Sequence, residues 1–153
     1  MCPMINLGDP APLICLPDQD DTLWQLSEYT SVILFFYPKD DTPGCTKAAV
    51  AFSALLPEFK ALGVTVVGIS RDTPATHRAF REKHGIRCPL LSDESGHVCE
   101  AYGVWQEKQN YGKVYKGIVR TTVWIQAGYI RHKWSRVRVA GHADAVYNEV
   151  IKS

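Results

Sequence analysis

The strongest pattern along the chain is an unbroken apolar run, Val32-Ile33-Leu34-Phe35-Phe36-Tyr37. No polar residue alternates with it, so it predicts a strand buried on both faces, as in a parallel or mixed sheet. Val64 to Ser70 is a second such run, rich in β-branched residues. Between the two, Phe52, Leu55, Leu56, Phe59 and Leu62 recur at three- and four-residue spacing, which predicts a helix with one apolar stripe. Gly63 is placed to end that helix, and Pro57 to kink it or break it in two. Strand, helix and strand in this order predict a right-handed βαβ unit.

Further on, Pro74 to His84 reads as a helix, with Asp72 or Thr73 as N-cap, Pro74 as first residue and Gly85 as stop. Pro89-Leu90-Leu91 reads as a short strand and Gly96 to Tyr102 as a short helix. Ile118 to Gln126 and Tyr129 to Val137 read as two strands joined at Ala127-Gly128. A last helix starts near His142. Close to the start, Leu13 to Leu16 and Leu23 to Leu26 suggest a small hairpin or edge strands. There is no internal repeat and no linker. With 153 residues, 46% of them hydrophobic, the chain is expected to form one domain over 1–153. The expected fold class is α/β, a central mixed β-sheet flanked by helices.

Charge and composition narrow the function. A net charge of +1 argues against nucleic acid or a membrane surface as main partner. No apolar run approaches the roughly 20 residues that cross a bilayer. The opening Met1-Cys2-Pro3-Met4-Ile5-Asn6 lacks a basic start and a following apolar stretch, so a cytoplasmic location is expected, where thiols stay reduced. The five cysteines, Cys2, Cys15, Cys45, Cys88 and Cys99, are odd in number and widely spaced, with no CxxC pair. They predict neither a disulfide framework nor a zinc site. The histidines are scattered without ligand spacing, and no metal or other cofactor is expected. Arg131, His132, Lys133, Arg136 and Arg138 suit a solvated edge strand, with attraction of an acidic partner as the alternative.

One segment carries chemistry. Pro38-Lys39-Asp40-Asp41-Thr42-Pro43-Gly44-Cys45 follows the end of the first buried strand and leads into a helix. Thr42 suits an N-cap, Pro43 the first turn, and Gly44 a close backbone approach to a small ligand. Cys45 then falls in the first helical turn, where unpaired amides and the helix dipole favour a thiolate over a thiol. The same amides suit an oxygen that gains charge as a peroxide O–O bond breaks. Acyl transfer would instead need a general base, and the segment holds no histidine. A buried structural cysteine is the competing reading of position alone.

The run Pro38-x-x-x-Thr42-x-x-Cys45 resembles the active-site motif of the peroxiredoxins. The longer string Phe36 to Lys47 is similar to the peroxiredoxin Q, or bacterioferritin comigratory protein, branch. So are Gly8-Asp9-Pro10-Ala11-Pro12, Pro89-Leu90-Leu91-Ser92-Asp93, Ala101-Tyr102-Gly103-Val104-Trp105 and Gly141-His142-Ala143-Asp144. The resemblance implies a thioredoxin-like fold and the reduction of hydrogen peroxide and organic hydroperoxides. It implies Cys45 as the peroxidatic residue, oxidised to a sulfenic acid. It further implies Thr42 as the residue that orients thiolate and peroxide, Pro38 as a shield from water, and Arg120 as the active-site arginine. Thioredoxin or another thiol is the implied reductant, and a monomer the implied state. The chain departs from the branch where many members carry a resolving cysteine: Val50 and Arg81 stand at those positions. Three routes for recycling stay open: Cys45 alone with an external thiol, Cys88 after local unfolding, or Cys99. A non-catalytic redox sensor acting through Cys45 oxidation is the alternative function.

Overall fold

A computed structural model describes residues 6–152; Cys2 and the opening segment lie outside the described residues. In chain order the elements are β1 Cys15–Pro17, β2 Leu23–Gln25, β3 Ser31–Phe36, α1 Pro43–Ala54, α2 Leu56–Ala61, β4 Thr65–Ser70, α3 Pro74–His84 and β5 Leu90–Ser92. Then follow α4 His97–Ala101, β6 Trp105–Asn110, β7 Lys113–Ile118, β8 Thr121–Gln126, β9 Tyr129–Trp134 and α5 His142–Lys152. The main sheet has the order β5-β4-β3-β8-β9. Within it β3 runs parallel to β4 and antiparallel to β8, giving the expected mixed sheet.

The central position of β3 explains its composition. Val32, Leu34 and Phe36 enter one core cluster, with Leu16, Val98 and Tyr102. Ile33, Phe35 and Tyr37 enter a second, with Cys45, Ala49, Phe52, Phe59 and Phe80. Successive side chains of a strand point to opposite faces. Both faces are covered from Val32 to Phe36, and no polar residue occurs there.

The helical stripe after β3 is broken in two, as Pro57 predicts. Leu55 separates α1 from α2, and Pro57 lies in the first turn of α2, where a missing N–H costs nothing. The Pro74–His84 helix forms with its predicted ends. Thr73 Oγ1 accepts from Thr76 N at 3.2 Å, and Gly85 adopts the left-handed conformation. No helix among the described residues is long and apolar enough to cross a membrane.

Two strand expectations are corrected. Ile118 to Gln126 is not one strand: β7 ends at Ile118 and β8 begins at Thr121, leaving Val119 and Arg120 as a link. β7 pairs instead with β6 in a separate two-stranded hairpin. That hairpin is mostly polar and exposed, so its sequence carries no core-facing alternation. Its turn, Tyr111-Gly112, has φ of 51° and 77°, the doubly left-handed form that tight hairpins favour. The other strand stops at Trp134 rather than Val137, with Arg136 at φ 51° beyond it. β9 is an edge of the main sheet, as its basic residues suggest.

Candidate active site

The loop between β3 and α1 is held from inside. Tyr37 O–H donates to Asp40 Oδ1 at 2.6 Å, and His77 Nδ1 meets Asp40 Oδ2 at 2.6 Å. His77 Nε2 lies 3.0 Å from the Leu91 carbonyl, which can only accept, so Nε2 carries a hydrogen. Asp72 Oδ2 accepts from Asp40 N and Ser70 Oγ. Burial, then the charge of Asp40, push the Tyr37 phenol well above its ordinary value, so it stays a donor. The next loop residue, Asp41, is bound outside by Lys83 Nζ and His84 Nε2, each at 2.8 Å. Helix α3 therefore grips two consecutive residues of the loop. The atoms of Asp40, Asp72 and His77 lie within 4.8 Å of one another, but their hydrogen bonds are mutual, which suits a brace.

This brace predicts a large stability effect. The side chains of Asp40 and His77 are fully buried. His77→Ala leaves the buried Asp40 carboxylate with Tyr37 O–H but no partner at Oδ2, and loss of one member of a buried pair costs about 3–5 kcal/mol. Urea denaturation of His77→Ala against the parent protein measures it.

Thr42 is the residue before α1, yet its side chain does not cap the helix. Its hydroxyl donates back to the Lys39 carbonyl at 2.9 Å. The first helical bond runs from Thr46 N to Thr42 O. The amides of Gly44 and Cys45 precede it and point out of the helix start. A Cβ on Gly44 would come within 3.1 Å of Arg120 NH2, so a larger residue there would push the guanidinium back by a few tenths of an ångström.

Arg120 completes the cluster. Its NH2 donates to Cys45 Sγ at 3.3 Å, while its NH1 is buried with no partner among the described residues. The donor is a guanidinium, which makes the contact charge-assisted, and among the described residues the second nitrogen is a donor without an acceptor. Cys45 itself is 1% exposed. Arg120 and Pro38 belong to the wall of a cavity of about 650 Å³, with Lys108, Val119, Glu107 and Arg136 also in the wall. Lys108 Nζ donates to the Ile118 carbonyl at 2.7 Å, and burial, then the Arg120 charge, lower its pKa from the ordinary value. Four of the sequence-chosen residues, Cys45, Thr42, Arg120 and Pro38, thus come together around one loop.

His142, at the start of α5, hydrogen-bonds Thr122 Oγ1 at 2.7 Å. Burial, then Arg120, push its pKa down to about 4. The fold holds the neutral imidazole, whereas the unfolded chain binds a proton below the ordinary value of 6.5. Its contribution to stability is therefore whole above pH 6.5 and is lost as pH falls towards 4. Thermal melts across that range are expected to decline with acid, and His142→Gln to decline less.

Among the described residues the other cysteines do not join Cys45. Cys88 is fully buried, and its Sγ lies 3.5 Å from Ser53 Oγ. Ser53 is eight residues beyond Cys45 on α1, roughly 12 Å along the axis, well outside disulfide range. Burial raises the Cys88 pKa to about 11. Arg81, at the position of a possible resolving cysteine, donates to the carbonyls of Cys88 and Arg87 and ties that loop down. Cys99 belongs to the core cluster on the other face of the sheet, where burial, then Asp93, raise its pKa. Cys15 is exposed on β1. The sequence did not point to the Asp40–His77 brace or to Lys108. Nothing local marks residues 37 positions apart as partners, and Lys108 lies on the unforeseen hairpin.

Comparison with known proteins fits this geometry. Residues 7–133 match the model of the AhpC/TSA family. Escherichia coli peroxiredoxin Bcp is 42% identical over 147 residues, covering 94% of this chain and 94% of that protein. A cysteine-to-serine mutant of Xylella fastidiosa PrxQ superposes with a TM-score of 0.93 at 36% identity, over 98% of each chain. The Xanthomonas campestris bacterioferritin comigratory protein, solved as trapped intermediate and ligand complexes that bear on its alkyl peroxide reduction activity, superposes with a TM-score of 0.86 at 39% identity. That match covers 91% of this chain and 90% of that one.

Proposed function

The chain belongs to the AhpC/TSA family and, within it, to the Bcp or PrxQ peroxiredoxins, and from that premise we propose that it reduces hydrogen peroxide and organic hydroperoxides at Cys45 with an external thiol as reductant. The observation that carries this reading is Arg120, with one nitrogen on Cys45 Sγ and the other buried without a partner. The Cys45 thiolate attacks one peroxide oxygen, the O–O bond breaks, and an S–O bond forms. The second oxygen takes a proton and leaves as water or an alcohol. Arg120 NH1 and the amides of Gly44 and Cys45 are donors for the oxygens as charge shifts between them. Thr42 can release the Lys39 carbonyl and turn its hydroxyl to the peroxide, while Pro38 walls the site. Lys108 adds a second cation near the sulfur. The family match over residues 7–133 supports one catalytic unit, and four free cysteines among the described residues suit a reducing cytoplasm.

Distances among the described cysteines support recycling by an external thiol. Cys88 is anchored at the far end of α1, and Cys99 lies across the sheet. Steady turnover of peroxide with excess dithiol is therefore expected to survive Cys88→Ser with less than about a twofold change, checked by following peroxide loss. A single burst with no turnover in the parent protein would instead indicate a sensor. Loss of turnover in Cys88→Ser alone would make Cys88 the resolving residue.

A further inference from the structure

Between β3 and α1 the chain is fastened at each residue from 39 to 42. The Thr42 hydroxyl holds the Lys39 carbonyl. Tyr37 and His77 hold the Asp40 carboxyl group, and Asp72 holds its backbone N–H. Lys83 and His84 hold Asp41. Thr46 N and Oγ1 both donate to the Thr42 carbonyl. The backbone supplies a reason for these ties. Asp41 has φ of 59°, a left-handed conformation that a residue with a side chain seldom adopts and that persists where its surroundings over-determine it. Released, the loop would relax, and the helix start that it sets would shift.

That start carries Gly44 and Cys45, whereas Arg120 belongs to the link between β7 and β8. Backbone bonds from Val119 to Val104 and from Val137 to Arg120 hold the link independently of the loop. The 3.3 Å contact of Arg120 NH2 with Cys45 Sγ therefore depends on where the loop places α1.

Asp40 is the deepest of the ties. The Leu91 carbonyl requires a hydrogen on His77 Nε2. The 2.6 Å approach of Nδ1 to Asp40 Oδ2 then encloses one further proton, shared by the two groups. The peroxide step itself takes no group from this buried pair.

We infer that Asp40 and His77 are positioning residues for the peroxide step: joined by a shared proton, they hold the strained loop in the shape that sets Cys45 against Arg120. The inference rests on the peroxidase reading. It asks for a hydrogen bond at this place rather than for a charge. Asp40→Asn keeps that bond, because its amide N–H can donate to His77 Nδ1 while its Oδ1 accepts from Tyr37.

Two reactions of Cys45 separate placement from access. Oxidation by hydrogen peroxide needs the oxygens aligned with Arg120 and the helix-start amides, whereas alkylation by iodoacetamide needs only a reachable thiolate. Both are read by mass on the peptide containing Cys45, and the ratio of their rates is taken within each variant below its melting temperature. Asp40→Ala is expected to lower the ratio by about 10²-fold, the cost of a misplacement of about 1 Å. Asp40→Asn should restore it to within about threefold of the parent. Tyr37→Phe keeps the ring and removes one donor to Asp40, and should lower the ratio about fivefold. An unchanged ratio in Asp40→Ala overturns the inference, and so does an Asp40→Asn ratio as low as that of Asp40→Ala. If Asp40→Ala does not fold, Tyr37→Phe decides, and a ratio equal to the parent's overturns the inference. A parent protein whose Cys45 alkylates but resists peroxide removes the peroxidase reading itself. A reactive parent with a flat ratio across the variants removes only the positioning role.

Discussion

Cys45→Ser is expected to lose peroxide consumption by at least about 10³-fold, down to the uncatalysed reaction. A serine hydroxyl is almost never ionised at neutral pH, and its oxygen is a poor nucleophile towards peroxide. Arg120 would keep its charge but lose its contact with sulfur. Serine is close to cysteine in volume, so the packing against Ala49 and Phe52 in the same cluster should persist. An unchanged thermal melt beside the lost activity separates chemistry from folding. Peroxide loss at matched protein concentration gives the rate. Cys15→Ser and Cys99→Ser, measured alongside, are expected to keep that rate within about twofold.

Arg120→Met should lower the rate of Cys45 oxidation by about 10²- to 10³-fold, the usual cost of one preorganised donor at a developing oxyanion. Two losses combine in it. The NH2 contact with Sγ at 3.3 Å disappears, and so does the unpartnered NH1 donor. Arg120→Lys should recover only part of the rate. A single ammonium has no fixed fork with which to serve sulfur and oxygen together. Stopped-flow peroxide reaction of the three proteins reads the difference. Equal rates for Arg120→Met and the parent would place the guanidinium outside the chemistry.

The sequence makes the buried parts of this fold legible and leaves its exposed parts dark. Val32 to Tyr37 announces a doubly covered strand because both faces forbid polar residues. The Pro57 break and the Thr73–Gly85 helix are legible because proline, threonine and glycine act through local backbone rules. The β6–β7 hairpin is silent because it contributes little to the core, so its side chains carry no alternation. Joining Ile118 to Thr121 as one strand follows from that silence. Cys45 is visible through its helix start, but Arg120 emerges only from the family resemblance. Its contact with sulfur spans 75 positions, and no local pattern encodes it. The Asp40–His77 brace is hidden for the same reason. Thr42 is half-legible: its place before the helix is local, whereas the turn of its hydroxyl towards Lys39 depends on the loop.

The most direct measurement is peptide mapping after one equivalent of peroxide, with a reagent that captures sulfenic acids. One added oxygen, or one captured reagent, is expected on the peptide containing Cys45 and on none containing Cys15, Cys88 or Cys99. An intact Cys45 thiol beside an oxidised sulfur elsewhere would contradict the account.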